Sequence, residues 1–188
     1  GFMNRRSGAS VSFNQDFKEE IYGQIPNIKG IYYTNTMSTT LVYKDLSVSA
    51  TATCIENGYL QMNNMELESG SYFTISDNVQ GAQKIILGSE IAAALFPDGE
   101  AVGKTITLIY SNNRFGFEVI GVLKESTSGI ESSTTGVYIP RGFYSKKISP
   151  NPTAGTIVIQ CTDQDLSSVV ADDIEVKKKK KTGTENSV

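Results

Sequence analysis

The chain contains no histidine and no tryptophan, and only two cysteines and five prolines in 188 residues. Without histidine it lacks the side chain that most often acts as a general base near neutral pH and most often ligates zinc. Cys54 and Cys161 stand too far apart in sequence for any zinc motif. A disulfide between them needs an oxidising compartment and close Cα atoms, so two buried apolar thiols are the favoured reading. A helix crossing a bilayer takes about 20 consecutive apolar residues. The longest apolar run here is Ile91 to Phe96, and the opening Gly1-Phe2-Met3-Asn4-Arg5-Arg6 lacks the apolar centre of a signal peptide. The chain is therefore expected to be a fragment or a soluble domain, with membrane spans in the intact gene left open. The net charge of −3 provides no basic field for nucleic acid.

What remains is ordinary globular material, 39% hydrophobic and 20% charged, long enough for one domain or two small lobes. Ser12 and Gln15 resemble a capping box, and Phe13, Phe17, Ile21 and Ile25 recur every four residues, which predicts a helix ended by Gly23 and Pro26. Ile28–Val42 and Leu46–Ile55 are rich in Ile, Tyr, Thr and Val and flank Lys44-Asp45, so they read as two strands joined by a tight turn. From Asn57 onward, short strand-like pieces alternate with turn residues. Lys84–Leu87 predicts a strand and Ile91–Phe96 a brief helix capped by Ser89, closed by a Pro97-Asp98-Gly99 turn. Lys104–Tyr110 and Phe115–Leu123 predict a hairpin, Lys124–Thr135 a polar loop and Val137–Pro140 a strand end. Ser149-Pro150-Asn151-Pro152 marks a boundary and Thr156–Gln160 a strand. Thr162–Asp165 then reads as the start of a helix whose apolar stripe is Leu166, Val169, Val170 and Ile174. The fold class expected is α+β, with one lobe built from both chain ends and an inserted β-rich lobe.

Catalytic patterns are poor. Gly99–Thr105 superficially resembles a phosphate loop, but three residues separate its glycines where four are needed, Asp98 opposes phosphate, and a strand follows where a helix should open. There is no Gly-x-Ser-x-Gly elbow. Glu66/Glu68 and Asp172/Asp173 are neighbouring carboxylates that read as solvated charge. Lys177–Lys181 is a basic run that suits an anionic lipid surface, yet acidic Asp163, Asp165, Asp172, Asp173 and Glu175 precede it, so a solvated helix end is the favoured reading. No aromatic residue interleaves with these lysines to stack bases. Tyr32, Tyr33, Tyr43, Met62 and Met65 suit a binding surface but are better read as packing. No catalytic, cofactor-binding or metal-ligating residue is nominated, and the binding residues stay unassigned.

One ordered series is more informative. Gly70-Ser71-Tyr72-Phe73 is followed by Ser76-Asp77, Lys84–Gly88, Ala94-Leu95-Phe96-Pro97, Val102–Ile106 and Phe117–Leu123. In this order and spacing it resembles the MacB-like periplasmic core domain of ABC-transporter permeases, the group related to FtsX and the lipoprotein-release permeases. Gly70 and Gly103 fit turns of positive φ. Ser71 departs from the family, which often has Arg there. The resemblance implies a domain lying between two membrane helices, with a porter-like α+β lobe from residues 1–56 and 150–188 and a β-rich lobe from 57–149.

It further implies a non-enzymatic, extracytoplasmic part of a bacterial permease, on the periplasmic or extracellular side of the cell membrane. Such a domain would couple ATP-driven motion of membrane helices to export or extraction of a peptide, lipid, lipoprotein or antibiotic. The implied partners are the flanking transmembrane helices of the same permease, a cytoplasmic ATP-binding subunit or domain, a second permease copy, and an extracytoplasmic adaptor or cargo. The excised domain is expected to be monomeric. The rivals are a secreted or cell-surface module binding peptide or glycan, and a hydrolase with an unrecognised site.

Overall fold

A computed structural model describes residues 15–24, 27–126, 132–161, 166–170 and 175–179. The chain divides into two compact units, Gly1–Asn35 with Asn151–Val188, and Thr36–Pro150. The boundary between them falls inside strand β1 (Ile28–Tyr43), not at residue 56. The later half of β1 and all of β2 (Leu46–Ile55) carry Met37, Leu41, Ala52 and Cys54 into the core of the second unit.

In the first unit, helix α1 (Gln15–Gln24) has Asp16 in its first turn, where a carboxylate complements the helix dipole. Its Phe17 and Ile21, four residues apart, pack on a core of Ile31, Tyr33, Ala154, Ile157 and Ile159. Ser12, Phe13, Ile25 and Pro26 lie outside the described residues. The start of β1 pairs antiparallel with β8 (Thr156–Cys161), β8 with β9 (Leu166–Val170), and β9 with β10 (Glu175–Lys179).

The last two strands correct the helix expected after Thr162. Leu166-Ser-Ser-Val-Val holds two β-branched valines and two serines, weak helix formers that fit a pleated strand, and β8 offers it a full antiparallel register. Lys177–Lys179 accordingly lie on a strand and not at a helix end.

In the second unit β1 turns back into β2 through Lys44-Asp45, with Lys44 at φ 55°. Strands β3 (Leu67–Gly70), β4 (Lys84–Leu87), β5 (Thr105–Tyr110), β6 (Asn113–Leu123) and β7 (Val137–Pro140) complete the sheet. The pairings run β1–β2–β7–β4–β6, and β5 bridges β6 back to β1. Six strands thus form a ring, with β3 appended to β6. Closing a sheet on itself removes most exposed edges and gives one inside face to fill. Leu41, Ile85, Leu87, Leu108, Phe117 and Val119 fill it. Burying each such side chain contributes roughly 1.5–3 kcal/mol. Phe143 meets Phe115 and Phe117 edge-on, at centroid distances of 5.2 and 4.9 Å.

Short helices decorate the ring. Sequence patterns missed α2 (Tyr59–Met62) and α3 (Ile75–Gln80), which lie in the stretch read as strand-like. α4 (Ser89–Leu95) buries Leu95, with Phe96 just beyond it, in the core as expected. Its cap is Gly88 and not Ser89, and no side chain caps it. α5 (Arg141–Phe143) runs on as a π-helical turn, Tyr144–Ile148. Gly70 has φ 89°, and a Cβ there would overlap the Ile120 carbonyl, so the turn after β3 requires glycine.

Candidate binding groove

β2 begins at Leu46 but pairs with β7 only over Ala52–Ile55. Along Leu46–Thr51 the wall of the ring is therefore open beyond β2 among the described residues. A groove of about 1100 Å³ lies along this opening.

Its chemistry follows from strand alternation. Met37, Leu41, Ala52 and Cys54 point into the core, so the intervening Ser38, Thr40, Ser49, Thr51 and Thr53 project from the other face. One side of the groove is thus lined with hydroxyls, each able to donate and to accept, while Val48, Ala50 and Ile109 add apolar surface to it. Glu90, Ile91 and Ala94 of α4 form one wall. Among the described residues, Glu90 is the only charged one in the lining.

The loop before β7 holds α4 in place. Ser133, Thr134 and Gly136 carbonyls accept from the amides of Ser89, Glu90 and Gly88, at 2.9, 2.8 and 2.7 Å. Those helix-start amides are therefore already used. Tyr138 donates its hydroxyl to the Ser132 carbonyl at 2.9 Å and anchors the same loop. Such a surface suits a neutral polar or basic ligand and disfavours an anion.

The residues weighed from sequence fall elsewhere. Gly99 and Gly103 occupy turns at φ 91° and 95°, and strand β5 follows them, so the superficial phosphate loop is a turn into a strand. Glu66 pairs with Lys124 at 3.7 Å on the surface, and Glu68 is exposed on β3. Asp172 and Asp173 lie outside the described residues. Tyr33 and Met65 are buried, while Tyr32, Tyr43 and Met62 are half-buried. Cys54 and Cys161 stand as thiols and not as a disulfide, and Cys54 is buried as expected while Cys161 is only half-buried. Burial pushes the Cys54 thiol up to about 12, against a smaller opposing pull from Arg141. Among the described residues no group of three or more potential ligating side chains converges on a metal-sized site, and no helix is long and apolar enough to cross a membrane.

The most strongly organised polar cluster is structural. Thr74 caps α3, its Oγ1 accepting from the Asp77 amide at 3.0 Å, while Asp77 Oδ2 accepts from the Thr74 amide at 2.9 Å. Asp77 Oδ1 also takes Lys84 Nζ at 3.0 Å. Burial alone would raise this carboxyl. The Thr74 amide and the Lys84 ammonium outweigh that and hold it below the usual Asp value.

The fold is shared with solved extracytoplasmic domains of ABC transporters. The extracellular domain of YknZ, a noncanonic ABC-type transporter from Gram-positive bacteria, matches at a TM-score of 0.64 and 23% identity, over 82% of this chain and 75% of its own. The periplasmic region of MacB from Actinobacillus actinomycetemcomitans does so at 0.67 and 23%, over 87% and 71%. Residues 3–177 match the MacB-like periplasmic core domain, and the chain belongs to that family. It is 27% identical over 137 residues to the ABC transporter permease YknZ of Bacillus subtilis, covering 73% of this chain and 33% of the relative. It is 24% identical over 187 residues to the macrolide export ATP-binding/permease protein MacB of Neisseria gonorrhoeae, covering 99% and 28%. The chain thus spans about a third of the length of these relatives. The family is a periplasmic core domain of transporter permeases.

Proposed function

We propose that this domain is the extracytoplasmic relay of a bacterial ABC permease, coupling ATP-driven motion of membrane helices to movement of a cargo. The observation that carries the reading is the family match over residues 3–177. Topology supports it. Ile28, at the start of β1, lies opposite Cys161, and Lys179, at the end of β10, pairs with Leu166, which pairs with Gln160 beside it. The first and last described strands of this sheet, β1 and β10, therefore begin and end at the same end of it, as suits a domain inserted between two membrane helices. Only two chain crossings, at Asn35–Thr36 and Pro150–Asn151, join the first unit to the second. In this reading the first unit is the porter-like lobe that receives the motion and the second is the inserted β-rich lobe that meets cargo or adaptor. A cytoplasmic ATPase, fused or separate, and a second permease copy complete the machine.

The test places spin labels on the exposed residues Lys29 in the first unit and Glu68 in the second, in the full-length permease with its ATPase in lipid nanodiscs. Interlobe and intersubunit distance distributions that change between nucleotide-free and ATP-bound states support the relay. Identical distributions in both states, with ATP hydrolysis intact, refute it.

A further inference from the structure

We propose that the open edge of β2 binds an extended polypeptide segment carrying a basic residue, by adding it as a strand to the second unit. The proposal does not depend on the relay reading. β7 covers the far side of β2 only over Ala52–Ile55. The preceding six residues, Leu46–Thr51, present alternate backbone N–H and C=O groups away from β1, with no backbone partner on that side among the described residues. Unpaired strand edges attract other chains, and folded proteins usually guard them with charge, proline or a bulge. Leu46-Ser47-Val48-Ser49-Ala50-Thr51 has none of these. The edge instead opens into the groove, so an incoming strand would continue the line of β7.

The walls specify the side chains. Successive residues of a strand point to opposite faces. On one side of the edge an added strand meets Val48, Ala50, Ile91 and Ala94, and on the other it meets hydroxyls such as Ser49 and Thr51. A segment alternating small apolar with polar residues fits both. Glu90 is the only charge on the lining among the described residues, so a lysine or arginine in register with it is favoured and an acidic residue there is not. Main-chain pairing would supply affinity and the two walls specificity, as in other strand-addition complexes. The volume, about 1100 Å³, exceeds the upper range of typical small-molecule sites, about 1,000 Å³, and accommodates a peptide strand.

The experiment uses the full 188-residue chain and fluorescein-labelled octapeptides of alternating valine and threonine, with one lysine stepped through the register. Matched peptides carry glutamate in place of lysine, or N-methyl groups on alternate amides. Saturable binding of a lysine peptide is expected, with slowed amide exchange within Leu46–Thr51. Methylation in the pairing register should weaken binding at least about tenfold, as loss of two or three backbone hydrogen bonds implies. Glu90→Gln should erase the preference for lysine over glutamate while leaving the fold and the methylation effect in place. Three outcomes would overturn the proposal: no saturable binding by any register, equal binding of methylated and unmethylated peptides, or protection of Leu46–Thr51 that rises with protein concentration without peptide. The last would assign the edge to a second copy of this chain.

Discussion

Asp77 ties α3 to β4, and its removal should have a pH signature. The carboxylate caps the Thr74 amide and meets Lys84. Loss of an N-terminal capping interaction costs about 1 kcal/mol. The Lys84 side chain is 38% exposed, so screening limits its share to less than about 1 kcal/mol. Asp77→Ala should therefore destabilise the second unit by about 1.5–2 kcal/mol at pH 7. Asp77→Asn keeps an acceptor for Thr74 and loses only the ion pair, so it should cost less than half as much. Because the folded carboxyl titrates below its ordinary value, its contribution is complete above the unfolded Asp pKa, about 3.9. It is lost as pH falls through the lower folded value. Urea unfolding followed by circular dichroism at pH 7, 5, 4 and 3 should show the gap between wild type and Asp77→Ala constant down to about pH 5 and narrowing below about pH 4. A gap that stays constant to pH 3, or widens, would refute the assignment of the depressed carboxyl to this pair of contacts.

Three further outcomes follow from local geometry. A Cβ on Gly142 would overlap the Asn78 carbonyl, and the Gly142 amide donates to Asn78 Oδ1 at 2.8 Å. Gly142→Ala should therefore cost about 3 kcal/mol or more by separating α3 from α5, read as a lower urea midpoint. Gly23 lies within α1, and a Cβ added there would meet nothing within 4 Å. Gly23→Ala should raise stability of the first unit by about 0.5 kcal/mol, seen as slower amide exchange in α1, and a loss would contradict its helical assignment. Cys54 is fully buried with its thiol pushed up to about 12, so at pH 8 it should resist an aromatic disulfide reagent until urea unfolds the second unit; reaction in the native state at the rate of an exposed thiol would contradict that burial.

Elements with a strong period were legible. The β1–β2 hairpin, the β5–β6 hairpin and α4 each combine alternation or a helical stripe with explicit turn residues, and the structure places them within a residue or two of their expected bounds. The segment after Thr162 was not legible. Leu166, Val169 and Val170 satisfy a helical stripe, and only the neighbouring strand β8, a tertiary partner, decides for β. α3 is a different kind of miss. Thr74-x-x-Asp77 has the spacing of a capping box, a signal for a helix start, but six residues with Ile75 and Val79 both exposed carry no amphipathic period to reinforce it.

The groove was half legible. Ser38 and Thr40 on one strand, and Ser47, Ser49, Thr51 and Thr53 on the next, alternate with residues that enter the core. That pattern announces a polar face, and its unusual feature is that hydroxyls occupy it where Lys and Glu normally stand. What no period encodes is that β7 stops pairing at Ala52. The edge is a property of where a distant strand ends, set by the loop before β7, whose carbonyls cap α4. The same short segment that supplies carbonyls to the first amides of α4, and so positions Glu90, leads into β7 where its pairing with β2 begins at Ala52.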